Sequence, residues 1–402
     1  RDLRMSRGLG DVYKRQVTLL PGALDDEQTT FVAAPISIVA DNVEESTLTL
    51  TAKDVNDNAI SGIASRLTLI LKDSQNNTPA AGKVTLSSLV ETGTTGIYTA
   101  KLKGMLAGVY TVTPQLDGSN IGTLSSSITL AASAPDGVQS TFTAAPKSVV
   151  ADGAAISTLT LVAKDQYGNA ITGIASSLSV SVMGSGETTP ATDKVTISSV
   201  TETATPGTYT ATVKGTLADV YTVKPQFSNS AIGSLSDSVT LTAGALDAAQ
   251  TTFTVAPDSI LADNIATSTL TLTAKDANGN AIHAADVIGR LGLNVKDSGN
   301  ATPAADKVTF SSLAATATPG VFTAALKGSL AGVYTVKPQL DGSDIGTLSG
   351  TVTLTVGALD VTQTTFSASP KTLTADNVAV STLTLAAKDA HGNAITGIAS
   401  SL

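Results

Sequence analysis

The chain has 402 residues, 42% of them hydrophobic and 14% charged, enough apolar content to bury sizeable cores and too little charge for intrinsic disorder. A formal net charge of −9 argues against a phosphate-binding surface, and the complete lack of cysteine excludes thiol catalysis and cysteine-ligated zinc. No run of about 18 apolar residues occurs, so no helix of this stretch is expected to span a membrane.

Residues 1–16, RDLRMSRGLGDVYKRQ, hold four of the six arginines and match nothing later in the chain. They are read as a non-native leader and set aside. Residues 17–22 open the segment VTLLPGALD, which parallels VTLTAGALD at 239–247 and VTLTVGALD at 352–360, so they are expected to be the last strand of a preceding domain. From there one stretch recurs four times: STLTLTAKDVNDNAI at Ser46, STLTLVAKDQYGNAI at Ser157, STLTLTAKDANGNAI at Ser268 and STLTLAAKDAHGNAI at Ser381. The spacings of 111, 111 and 113 residues are those of a whole small domain. The predicted units are 23–133, 134–244 and 245–357, with a truncated fourth at 358–402.

Within the first unit, alternation and turn residues predict strands at 37–40, 46–53, 67–72, 83–89, 97–103, 109–115 and 124–131. Seven short strands separated by turns indicate an antiparallel sandwich. In the Ser268 copy, Leu270, Leu272 and Ala274 should face inward and the threonines outward. Two extra residues in the third unit fall in Ala284–Arg290 and are expected to be absorbed by a loop. The last 45 residues repeat only the first two strands and are expected to leave a frayed tail, because unpaired strands lack a covering sheet.

The pattern S-T-L-T-L-x-A-K-D-x-x-G-N-A-I, then G-x-Y-T-A-x-(L/V)-K-G and (G/D)-V-Y-T-V-x-P-Q, resembles the bacterial immunoglobulin-like repeats of the invasin and intimin group. These belong to inverse autotransporter adhesins of Gram-negative bacteria. Ala59, Ala170, Ala281 and Ala394 stand where that family often has proline. The resemblance implies an all-β fold of tandem immunoglobulin-like β-sandwich domains in an elongated array, forming the non-catalytic stalk of a surface adhesin. It also implies a β-barrel anchor in the outer membrane, and a distal domain that binds a host-cell or surface receptor. Neighbouring sandwiches are then the expected partners of this segment, with no nucleic acid, membrane contact, metal or cofactor. An alternative is a set of glycan- or matrix-binding modules acting through loops, with calcium assistance; a third is an accessory region of a surface enzyme.

Candidate chemistry is sparse. Asp276, Asn278 and Asn280 place oxygen side chains at alternate positions like a calcium loop, but no bidentate glutamate follows, and Asn278-Gly279 reads as a tight turn. Asn56-Asp57, Tyr167-Gly168 and His391-Gly392 vary the would-be ligands while keeping that turn. Asp25, Asp136, Asp247 and Asp360 recur where units join, as solvated charge or calcium ligands. His283 and His391 occupy different places in their repeats and lack a catalytic constellation. Tyr110, Tyr221 and Tyr334 suggest corner packing, and Phe31, Phe142, Phe253 and Phe366 packing at the start of each unit. LDGSNIGTLS at 116–125 and LDGSDIGTLS at 340–349 read as an exposed hairpin. No catalytic, cofactor-binding or metal residue is assigned.

Overall fold

The computed structural model describes residues 17–187 and 194–401; residues 1–16, on which the leader expectation falls, lie outside them. The first repeat contains ten strands: β1 (Thr30–Ala34), β2 (Ser37–Val39), β3 (Ser46–Thr51), β4 (Leu67–Asp73), β5 (Val84–Leu86), β6 (Val90–Glu91), β7 (Ile97–Gly104), β8 (Gly108–Leu116), β9 (Ser119–Asn120) and β10 (Ser126–Ala131). One sheet runs β1-β3-β7-β5 with β6 also on β7. The other runs β2-β10-β8-β4 with β9 on β8. The same two sheets recur in the second and third repeats. The pairing is antiparallel except at one edge, where β2 lies parallel to β10. The chain reaches that edge by leaving the first sheet at Pro35, whose ring nitrogen has no hydrogen to give a ladder.

Strand alternation builds the core. In the third copy Leu270, Leu272 and Ala274 are fully buried, as are Leu48, Leu50 and Ala52 in the first. Each buried leucine is worth about 1.5–3 kcal/mol, so this motif supplies the centre of every sandwich. Its serine is also buried: Ser46, Ser157 and Ser268 each donate 2.7 Å hydrogen bonds to Pro35, Pro146 and Pro257 carbonyls. That bond lets a polar side chain sit in an apolar layer. Phe31, Phe142 and Phe253 are carried by the first strand of each repeat and belong to its core.

Three expectations are refined. The strand anticipated over 83–89 is only the three residues of β5, and β6 follows as a separate piece, after Ser87 Oγ accepts the Lys101 N–H at 2.9 Å and Leu89 turns inward. The segment 116–125 is more than an exposed hairpin. Its Asp117-Gly118 tip is exposed, while Ile121 is buried in the core. The two extra residues of the third repeat form a one-turn helix, α1 (Ala284–Val287), with Val287 buried, instead of an irregular loop.

That third repeat rewires a whole corner. In the first, the Tyr98 hydroxyl donates to the Ile60 carbonyl at 2.9 Å and Gly62 N–H donates to Glu91 at 2.8 Å. Tyr209 and Glu202 do the same for Ile171 and Gly173. In the third repeat Phe322 and Ala315 occupy those places, and α1 replaces the anchored loop.

Residues 17–22, expected to be a strand, form none. Beyond 357, Thr365–Ser369 and Thr382–Ala386 form a two-stranded sheet. There Phe366 is 69% and Leu383 64% exposed, whereas their counterparts Phe31 and Leu48 are buried. The difference is the second sheet, which these two strands lack among the described residues.

Candidate functional site at the joints between repeats

The motif that builds the core also builds the joints. After the Ser268 strand the chain turns at Asp276-Ala277-Asn278-Gly279, with Gly279 N–H bonded to the Asp276 carbonyl at 3.0 Å. Gly279 has φ +82°, the left-handed region that glycine adopts without cost; Asp57 holds the same place in the first repeat at φ 68°. The Asp276 side chain is buried inside this turn. Its Oδ1 accepts the Asn278 and Asn280 N–H groups at 2.9 and 2.8 Å, and its Oδ2 accepts Asn280 Nδ2 and Gly244 N–H, both at 2.8 Å. Gly244 belongs to the linker from the preceding repeat. One carboxylate therefore closes the turn and ties down the linker.

Asn280 completes the joint. Its Nδ2 also donates to the Thr216 carbonyl at 2.9 Å, and its Oδ1 accepts Ala218 N–H at 2.8 Å, both in the turn between the long strands of the preceding repeat. Asn169 makes the same pair with Met105 and Ala107, both at 2.9 Å, and Asn393 with Ser329 and Ala331, both at 2.9 Å. An amide is the side chain that can present a donor and an acceptor side by side, which this turn requires. All three asparagines are buried. Asn58, which bonds Asp54 in the same way but touches no preceding repeat among the described residues, is exposed.

The tyrosines predicted to pack a corner prepare the other half. Tyr110, Tyr221 and Tyr334 are buried, and their hydroxyls donate to the carbonyls of Leu106, Leu217 and Leu330 at 2.9, 3.0 and 2.9 Å. Each of those leucines lies between the two residues that the next repeat's asparagine grips. Tyrosine thus fixes the middle carbonyl from within its own repeat, leaving the flanking carbonyl and N–H aimed across the joint. Sequence reasoning found both motifs and missed their partnership. The available signal was that K-G-x-L-A recurs in step with D-x-x-x-N.

A second contact varies. Tyr167 Oη donates to the Asp41 carbonyl of the preceding repeat at 3.0 Å, and Asn278 Nδ2 to the Ala151 carbonyl at 2.8 Å. His391, at the same motif position, borders a cavity with Asp263 and Asp360 at the third joint. His283 instead immediately precedes α1, so the two histidines are not brought together.

The carboxylates suggested by a calcium-like pattern face N–H donors. Hydrogen bonds from Gly22 N–H, the Asn58 amide and the Asn58 and Asn56 N–H groups hold Asp54 down to about 2 despite opposing desolvation. Burial works against ionisation of Asp389, yet bonds from the Asn393 side chain and the Gly357, Asn393 and His391 N–H groups also hold it at about 2. Asp25, Asp136, Asp247 and Asp360 cap short turns, as in the acceptance of Glu27 and Gln28 N–H by Asp25 at 3.0 Å each. Among the described residues no group of three or more histidine, aspartate or glutamate side chains is arranged to hold a metal ion.

Fold and joints define a class: tandem immunoglobulin-like sandwiches linked by a repeated interlocking contact. The chain belongs to the invasin domain 3 family, which matches residues 25–133, 136–244 and 247–357. Among solved structures it is similar to FdeC, an Escherichia coli adhesin, at 27% identity and a TM-score of 0.51, covering 84% of this chain and 100% of that one. It is also similar to invasin, a bacterial integrin-binding protein, at 24% identity and a TM-score of 0.49, covering 82% of this chain and 61% of that one. For InvD of Yersinia pseudotuberculosis the values are 24% and 0.48, covering 83% and 87%.

Proposed function

We propose that this chain is a non-catalytic stalk segment of a bacterial cell-surface adhesin, carried in the outer membrane of a Gram-negative cell and projecting a receptor-binding domain. The observation that supports this most is the asparagine joint, made with the same two hydrogen bonds at three successive boundaries. A stalk must hold successive modules in a set orientation, and a donor and acceptor gripped together fix direction as well as distance. Family membership and the likeness to an E. coli adhesin agree with the reading. The receptor contact belongs to a distal domain, and the repeats serve as one another's partners.

Small-angle scattering of the full chain tests the proposal. Strands of about eight residues rising about 3.3 Å each make modules of roughly 25–30 Å in strand length, longer with their loops, so three in line extend about 100 Å. An extended particle is expected; a compact one refutes the stalk. Selective binding on a glycan array would instead assign ligand recognition to these repeats.

A further inference from the structure

The second joint contains a chemical feature absent from the others. Asn278-Gly279 is the one Asn-Gly pair in the sequence, and Asn278 is the residue whose amide reaches across to the Ala151 carbonyl. Glycine after asparagine leaves the next main-chain nitrogen uncrowded, and nothing lies within 4 Å of where a Gly279 Cβ would stand. We propose that Asn278 is a site of spontaneous deamidation, and that this modification irreversibly loosens the joint between the second and third repeats. The loosening rests on the stalk reading only for its biological consequence; the chemistry does not.

The step balances without an added reagent other than water. The Gly279 main-chain nitrogen loses its proton to solvent base and attacks Cγ of Asn278. The N–Cγ bond forms, the Cγ–Nδ2 bond breaks, and Nδ2 takes up a proton and leaves as ammonia. Water then opens the five-membered imide at either carbonyl, giving aspartate or isoaspartate. Either product is a carboxylate at neutral pH, an acceptor with no hydrogen to donate. The aspartate carboxylate takes the place of the amide opposite the Ala151 carbonyl, so the contact becomes repulsive; isoaspartate removes that side-chain amide and lengthens the main chain of the turn by one methylene.

The fold regulates the rate. Gly279 N–H is held by the Asp276 carbonyl at 3.0 Å, and the Asn278 amide is engaged across the joint at 2.8 Å. Both bonds must release before nitrogen and Cγ can meet, so the reaction proceeds from the opened joint. Asn280 lies two residues on, is followed by Ala281, and has its amide buried between Asp276 and Thr216. It is an internal control.

The full chain is incubated at pH 8.5 and 37 °C and digested with trypsin, which cuts after Lys275 and Arg290 and releases both asparagines in one peptide. The expected result is a mass gain of about 1 Da at Asn278 with isoaspartate formed, none at Asn280, and an about thirtyfold faster gain at Asn278 in Asn280→Ala. An unmodified Asn278 after weeks, equal conversion of both residues, or a rate indifferent to Asn280→Ala overturns the proposal. Loosening is read from a distance distribution between spin labels at Lys224→Cys and Lys337→Cys, in a chain with no other cysteine. Asn278→Asp should broaden it and Asn278→Gln should not; equal widths overturn the structural half. Scattering of the unmodified chain tests the stalk separately.

Discussion

Replacing Asn280 with alanine removes the two hydrogen bonds that its own amide makes across the second joint and the one that it gives Asp276, leaving the Asn278 contact with Ala151 in place. Each neutral cross-joint bond contributes about 1 kcal/mol net, so the joint should weaken by about 2 kcal/mol and open about thirtyfold more often. Asn58→Ala provides the reference, because Asn58 bonds Asp54 in the same way while engaging no preceding repeat among the described residues. The assay is amide hydrogen exchange at Ala218, whose N–H is held by the Asn280 side chain at 2.8 Å. Protection at Ala218 should fall about thirtyfold in Asn280→Ala and stay unchanged in Asn58→Ala. The repeats should also unfold less cooperatively, since coupling between modules resides in their interfaces. Unchanged Ala218 exchange in Asn280→Ala would refute the assignment of the joint to this amide.

Tyr98→Phe leaves the Ile60 carbonyl without its buried donor and should destabilise the first repeat by about 1–2 kcal/mol in denaturant unfolding, while Phe322→Tyr, beside the rebuilt α1 corner, should bring no gain. Ser268→Ala removes the donor to Pro257 from a fully buried site and should cost about 1–2 kcal/mol in the third repeat alone. Arg66→Ala breaks an exposed pair with Asp117, and its effect on the melting temperature should lie within error. Acid should loosen the turns in a defined window. Asp54 and Asp389 titrate near 2 in the folded chain, below the ordinary value of about 3.9, so on acidification the unfolded chain takes up protons first. Their contribution is whole above about pH 4 and is lost as pH falls through 2. A melting temperature flat between pH 4 and 2 would contradict this.

The sequence by itself determined the number of sandwiches, their order and the inner face of the main strand. Leucine at alternate positions and a period near 111 residues leave few other folds open, because a two-residue periodicity puts one face in the core at every copy. It also marked Asp276-Gly279 as a turn, since the asparagine and glycine carry that conformation locally. Tertiary structure decided what the turn is for. Asn280 and Thr216 are 64 residues apart, and neither residue's local pattern names the other. The parallel edge between β2 and β10 was hidden for the same reason: a three-residue strand has too little pattern to reveal its partner. The direction from which Asp54 and Asp276 are approached was likewise out of reach, because carboxylate spacing is legible in a sequence but the N–H groups that surround an oxygen are placed by the fold.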